Sequence, residues 1–559
     1  MADDNRCFFV GLEAEIESIL LDYVKIPSIT ATADENQACD FFTSFVSDID
    51  YFKEHPNLYG TYAIKDDYHA RKVSWAMLRG SGRGTVVLIH HNDVVSVEDY
   101  KLLKDLAFSP SELEKKLFEF SADLSDEAAA DLESGLYLWG HGVCDMKGGG
   151  AIQLALLKRY SLIAENLHGN IIVLGLPDEE TMSAGMRSAV CLLEELKEQY
   201  GLQYSLMVNS EPHQRKEADR GIISTGSVGK IMPFVYVRGT MSHAGKSFEG
   251  FNPLGLLSEI VCESEMNTDF CDVYDKEAVP PPTWLFLHDN KKQYDVSMPL
   301  SAFGYFSLLT FVKQPSEVLR QLNTICKKSF EKVIQKLNNS YSIHCNSVQR
   351  DAHRLPWNVK VITYKQLLEK AETDSNINFV KQYQEKLYSL KKCINDGVSI
   401  GEAVFSLIDW IFEYIKDPLP TVVLGLIPPY YPHVSNMLYK THKTEINIGR
   451  EVMDFAMREW SQHYDLENYY TGISDLSFSC ISDIGIEENT LSENMPFLDL
   501  VYNIPFKEIE HISMPCINLG PWGKDFHKMT ERVLKEDLFI RTPKIISFAI
   551  DKVLDTKVQ

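Results

Sequence analysis

Four short stretches of this sequence place acids and histidines where they could act together. They are HHND, with His91 and Asp93, and GHGVCDMKGGG, with Asp145; then PDEET, with Asp178, Glu179 and Glu180, and NSEPH, with Glu211. Taken singly, each is an ordinary solvated cluster or helix cap. Taken together, several acids and a histidine repel one another unless something positive lies among them, because buried charges are paired or bind metal. No Lys/Arg cluster accompanies these stretches, and Lys147 is the one nearby base in the sequence. One or two divalent metal ions satisfy the pattern. A histidine with several carboxylates suits zinc, with manganese or cobalt as alternatives. Asp145 has two oxygens and can bridge two ions, and the glycines after it let backbone and ions come close.

Elements must bring these stretches to one place. GTVVLIHH, NIIVLGL and YSLMVNS read as buried strands ending at 91, 176 and 210. GGGAIQLALLKRYSLI and AGMRSAVCLLEELKEQYG (184–201) read as helices between them. This alternation predicts an α/β fold with a parallel sheet, whose ligands lie beyond the carboxyl ends of the strands. YHARKVSWAMLRG is a further strand, and the GSGRG after it (80–84) reads as a hairpin turn into the next strand rather than a phosphate loop. An acidic, Leu-rich insertion of helical character follows to about residue 134. Near 221 the pattern changes to mixed helices and strands, which predicts an inserted α+β domain. PTVVLGLIPPYYPH (420–433) again looks like a buried strand and is assigned to the first domain. The expected organisation is 1–220, 221–417 and 418–559, the first and last forming one domain.

The 559 residues carry a formal net charge of −24, which repels phosphate backbones and anionic lipid. Nucleic acid and membrane are therefore not expected partners. The amino-terminal stretch lacks the basic start and apolar run of a secretion signal. The longest uncharged stretch, VSMPLSAFGYFSLLTFV, holds Pro, Gly and Ser and is too short to span a bilayer. Eleven dispersed cysteines without CxxC pairs predict reduced thiols in the cytoplasm.

The ordered set HxD, GxxDMKGG, DEE, EP and a late His resembles the co-catalytic zinc peptidases that include aminoacylase and glutamate carboxypeptidase. GTMSHAGKSFEGFNP (239–253) is similar to that family's lid motif, and GPWGKDFHKMTERV (520–533) to its closing segment. With PPYYPH and GISDLSF, the chain looks most similar to the RocB-type arginine-utilization branch. The resemblance implies a phosphorylase/hydrolase-like catalytic domain with a mixed, mainly parallel sheet and an inserted lid/dimerisation domain. It implies two divalent ions per chain, zinc by family habit. His91 and Glu211 would bind one, Glu180 and His527 the other, with Asp145 shared. Asp93 would orient His91, Glu179 would be the general base, and His243 of the lid would stabilise the oxyanion. Asn252 would contact substrate, and the lid would join two chains in a homodimer.

Two departures bear on specificity. Where the family has arginine before the bridging aspartate, this chain has His141; and the lid strand within 297–311 lacks the arginine that in many relatives meets a substrate carboxylate. Asp475 in GISDLSF is read as a group for a cationic or amino moiety. The expected activity is metal-dependent hydrolysis of an amide bond in a small peptide or N-acyl amino acid. The alternatives are an esterase, or a protein that binds amino acids or peptides on this scaffold without catalysis. Glu179 has no binding duty that would require it, which speaks against the last.

Overall fold

The computed structural model describes residues 8–215, 217, 219–375, 378–416, 419–437, 447–481 and 484–555. Two compact units divide the chain: Met1–Val228, Val434–Ser482 and Pro505–Gln559 form the first, Gly229–His433 and Asp483–Ile504 the second.

The first unit is built on an eight-stranded sheet. Its strands lie in the order Tyr59–Ala63, Lys72–Arg79, Asn170–Leu176, Gly84–His91, Gln203–Asn209, Cys516–Asn518, Arg220–Ser224 and His463–Glu467. The four central strands run parallel, from Asn170–Leu176 to Cys516–Asn518. Antiparallel pairing begins on either side of them, so the sheet is mixed with a parallel centre. Parallel strands covered on both faces read as unbroken apolar runs. Asn170–Leu176 is buried at every position, and so are Val86 to Ile89. The helix Lys147–Ser161 is buried nearly all round and packs on this sheet and on Leu12–Val24.

Two readings from the sequence are corrected here. The strands Lys72–Arg79 and Gly84–His91 are not a hairpin, because Asn170–Leu176 lies between them, antiparallel to one and parallel to the other. The glycine segment instead turns against the residues that lead into that strand, with Gly80 N–H donating to Gly169 O (3.0 Å) and Ser81 N–H to Leu167 O (2.7 Å). The domain limits also move. Arg220–Ser224 stays in the first sheet, while Thr421–Leu426 pairs with Pro233–Arg238 in the second unit's six-stranded sheet. Residues 420–433 therefore do not return to the first domain, and 483–504 also belong to the second unit. The expected boundary at 417 and 418 lies outside the described residues.

In the second unit, Thr283–Asp289, Ser301–Thr310, Pro233–Arg238 and Thr421–Leu426 pair antiparallel, and Val361–Thr363 adds a parallel edge. An aromatic core of Phe234, Tyr236, Phe303, Phe405 and Phe412 fills one face under the helix Ile400–Ile411.

Candidate metal centre

Three adjacent parallel strands end at the same edge of the first sheet. Gly84–His91 delivers His91 and Asp93, Asn170–Leu176 delivers Asp178 to Glu180, and Gln203–Asn209 delivers Glu211. Asp145 arrives just before the buried helix Lys147–Ser161, and its glycines explain how. A Cβ at Gly149 would lie 2.5 Å from Ser210 O, and one at Gly150 would lie 2.6 Å from the His90 ring. Only glycine lets the helix start sit this close to two strand ends, and this closeness sets Asp145 beside His91 and Glu211.

Asp145 divides its two oxygens. Oδ1 is 3.0 Å from His91 Nε2, and Oδ2 is 3.1 Å from His527 Nε2. His91 Nε2 also lies 3.4 Å from Glu211 Oε1, and His527 Nε2 lies 2.9 Å from Glu180 Oε1. Ligand atoms bound tetrahedrally to zinc stand about 3.3 Å apart, given bonds of about 2.0 Å. The separations within each set are close to those of ligands around one ion, and Asp145 belongs to both sets. Ligand atoms of His91, Asp145 and Glu180, and likewise of His91, Glu179 and Glu211, fall within 4.8 Å of one another. The donor set is oxygen and imidazole nitrogen, and it fits a pair of divalent cations.

Asp93 does more than turn one ring. Its backbone carbonyl faces His91 Nδ1 at 3.0 Å, closer than its carboxylate at 3.5 Å, so Nδ1 donates there and Nε2 is the nitrogen turned toward Asp145 and Glu211. The carboxylate accepts the backbone N–H of Glu179 and of Glu180, both at 3.2 Å. One residue thus orients a histidine and both glutamates. Asp178 is held from the other side. Its carboxylate pairs with buried Arg71 and accepts Ala184 N–H (3.0 Å), and its own N–H donates to Glu35 (2.7 Å). Asp178, Ser183, Asp525 and His527 have positive φ, a departure that side chains other than glycine adopt where a site is held in shape.

The charges respond to this crowding. Burial opposes a charged His91, yet Glu211, Asp145 and Asp93 hold its pKa well above the ordinary range. Hydrogen bonds to Asp145 and Glu180 push His527 up to about 11. Burial, with Glu211, Asp475 and Glu180, pushes Glu179 well up. Protons on these groups occupy the place of positive charge that metal ions would supply.

Residues 116–472 match the model described as Peptidase family M20/M25/M40. The chain belongs to this peptidase family. Protein RocB of Bacillus subtilis (strain 168) is 28% identical over 539 residues, covering 95% of this chain and 93% of that one. Aminopeptidase PepT of Bacillus cereus superposes with a TM-score of 0.53 at 12% identity, over 97% of this chain and 98% of its own. The Bacillus subtilis YXEP protein, described as a dinuclear metal binding peptidase of the M20 family, gives 0.50 at 10% identity, over 98% and 99%. As an M20 family member, the chain is a metal-dependent hydrolase of the peptidase type with the M20 fold.

Within this M20 chain the remaining predicted residues have distinct surroundings. His243 lies in the second unit, exposed, and its Nδ1 accepts Gly245 N–H at 3.0 Å, which leaves Nε2–H as a free donor. Asn252, also there, uses its side-chain oxygen to cap the helix Pro253–Ser264 through Leu254 N–H (3.0 Å), so its duty in the structure is a cap. Asp475 is 2% exposed, and its two oxygens are shut from solvent without a hydrogen bond of normal geometry. That does not suit a carboxylate reading substrate from solution. Burial lifts its pKa to about 7, tempered by the nearby Ser183 hydroxyl. Lys147 is buried and donates to Ile26 O (2.6 Å) rather than to the acids. Sequence reasoning missed Arg71, Glu35 and Glu531. Arg71 directly follows the largely exposed YHA stretch and carries no motif. Among the described residues, no helix is long and apolar enough to cross a membrane.

Proposed function

We propose that this chain hydrolyses an amide bond in a small peptide or an N-acyl amino acid, with Glu179 as general base. The observation that carries this is Asp145 placed between two ligand sets, with Glu179 on the same turn as Glu180 and held by the same Asp93. His91 and Glu211 hold one ion, and Glu180 and His527 the other, with zinc, manganese or cobalt as the metal. Such ions polarise the scissile carbonyl and lower the pKa of a water toward ~7. The carboxylate of Glu179 takes a proton from the attacking water and gives it to the leaving nitrogen. Its raised pKa suits it to hold that proton between the two steps. His243 offers Nε2–H to the oxygen on which negative charge develops. Asp475 serves as a buried acid that keeps Glu179 basic. The second unit is the surface through which a homodimer would form, and the free thiols among the described residues fit a cytoplasmic setting.

The test is amine release from panels of dipeptides and N-acyl amino acids. Glu179→Gln should keep its metal and lose ~10²-fold or more in turnover, whereas Glu180→Gln should lose metal. The opposite behaviour would exchange the two roles.

A further inference from the structure

Glu531 lies four residues beyond His527 and is 1% exposed. Its Oε1 accepts the backbone N–H groups of Cys144 (3.0 Å) and Asp145 (3.2 Å), and its Oε2 accepts that of Gly142 (3.1 Å). Oε2 also faces His141 Nδ1 at 3.3 Å. The Glu531 backbone takes part too, its carbonyl accepting Gly140 N–H at 3.2 Å. One buried carboxylate thus gathers three backbone donors of the loop that presents Asp145.

From this geometry we propose that Glu531 is a positioning residue for metal binding. It fixes the aim of the Asp145 carboxylate and locks it to the segment that carries His527. The proposal rests on the reading of Asp145 as the shared ligand. Gly140 and Gly142 have φ of 153° and 75° and impose no preference of their own, and besides Glu531 the loop is tied by His141 N–H to Ala107 O (2.9 Å) and Lys147 N–H to Gly142 O (3.0 Å). Three N–H groups converging on one carboxylate replace that missing stiffness with charge-assisted bonds. His141, where relatives carry arginine, stands against the same carboxylate with a single nitrogen, so the backbone donors bear most of its charge. Its other nitrogen is engaged with Val95 O at 2.8 Å. Outer groups of this kind tune metal affinity by about 10- to 100-fold.

A matched control exists in the second unit. Asp272 Oδ2 likewise accepts three backbone N–H groups, from Phe311 (3.0 Å), Val312 (3.0 Å) and Lys313 (2.8 Å), and serves no metal ligand. The experiment titrates Zn²⁺, and separately Co²⁺, into chelator-stripped parent, Glu531→Gln, Glu531→Asp, Asp272→Asn and Asp145→Asn. Glu531→Gln should bind about 10- to 100-fold more weakly with an altered Co²⁺ absorption spectrum. Glu531→Asp, which keeps the charge, should fall between it and the parent, and carries the test if Glu531→Gln does not fold. Asp272→Asn should bind as the parent does, whatever its loss of stability. Parent-like affinity and spectrum in the Glu531 variants would overturn the proposal, as would an equal loss in Asp272→Asn. A parent that takes up no metal, or an Asp145→Asn variant that binds like the parent, overturns the shared-ligand reading itself and this proposal with it.

Discussion

Replacing Gly149 with alanine isolates the effect of close approach from that of helix propensity. The new methyl carbon would sit 2.5 Å from Ser210 O and 2.7 Å from Ser210 Cβ. An ordinary contact of 3.4 Å or more requires the helix start and the strand end to part by at least about 0.9 Å. Overpacking of this kind costs ~1–3 kcal/mol, and a backbone oxygen cannot rotate away, so the upper half of that range applies. Alanine returns up to ~1 kcal/mol of helix propensity. The expected net loss is about 1–2 kcal/mol. Gly255 is the contrast, since it lies at the same position in the helix Pro253–Ser264 with nothing within 4 Å of its added Cβ. Gly255→Ala should therefore gain up to ~1 kcal/mol. The shift in Gly149→Ala acts directly on the centre, because Ser210 precedes Glu211 and the helix follows Asp145. Metal sites tolerate ligand displacements of about 0.2 Å, so metal affinity should fall as well. Urea unfolding of chelated protein gives the stabilities, and calorimetric titration with zinc gives the affinity. A Gly149→Ala variant as stable as Gly255→Ala, with parent affinity, would refute the claim that close approach requires this glycine.

Three further outcomes are expected. Asp145→Asn should lose most bound metal, because a neutral amide bridges two cations poorly; elemental analysis showing two ions retained would remove its bridging role. Metal binding should expel protons, since the acids around His91 and His527 raise their pKa and burial raises those of Glu211 and Glu180. Affinity should accordingly rise with pH, by up to ~100-fold per unit for two protons, and fall on acidification, read from binding enthalpies in buffers of different ionisation heat. His243→Ala should slow turnover by ~10²-fold with metal content unchanged; if mixing it with Glu179→Gln forms heterodimers that regain activity, His243 serves the partner chain, and if they stay inactive it does not.

Much of the centre was legible because its residues follow strand ends, where a short motif and its position in the fold coincide. His91, Asp145, Glu180 and Glu211 could be gathered at one sheet edge from alternation alone, and His527 from the family resemblance. What escaped was long-range. Arg71 meets Asp178 across more than a hundred residues, and Glu531 reaches Asp145 across nearly four hundred. Neither partner advertises the other, because a buried carboxylate that accepts backbone N–H groups needs no particular residue opposite. The hairpin error has a similar origin: a glycine turn shows that the chain reverses locally, not that a later strand will lie between its arms. The apolar run at 421–426 satisfies either sheet, and the choice depends on partners such as Pro233–Arg238 that hydrophobicity cannot name.

The strand Cys516–Asn518 lies between Gln203–Asn209 and Arg220–Ser224, and pairs with both. For a chain emerging from the ribosome this sets an order of events. Residues up to 224 can collapse, but one place in their sheet stays open until about 290 further residues have been made, some 15–60 s at ordinary synthesis rates. The segment that closes the sheet is followed within a few residues by His527 and Glu531. Completion of the sheet and completion of the ligand set are thus one late step of synthesis. A nascent or prematurely stopped chain would carry His91, Asp145, Glu180 and Glu211 without His527, so on the proposed reading a pair of ions could be held only once that last segment has been made.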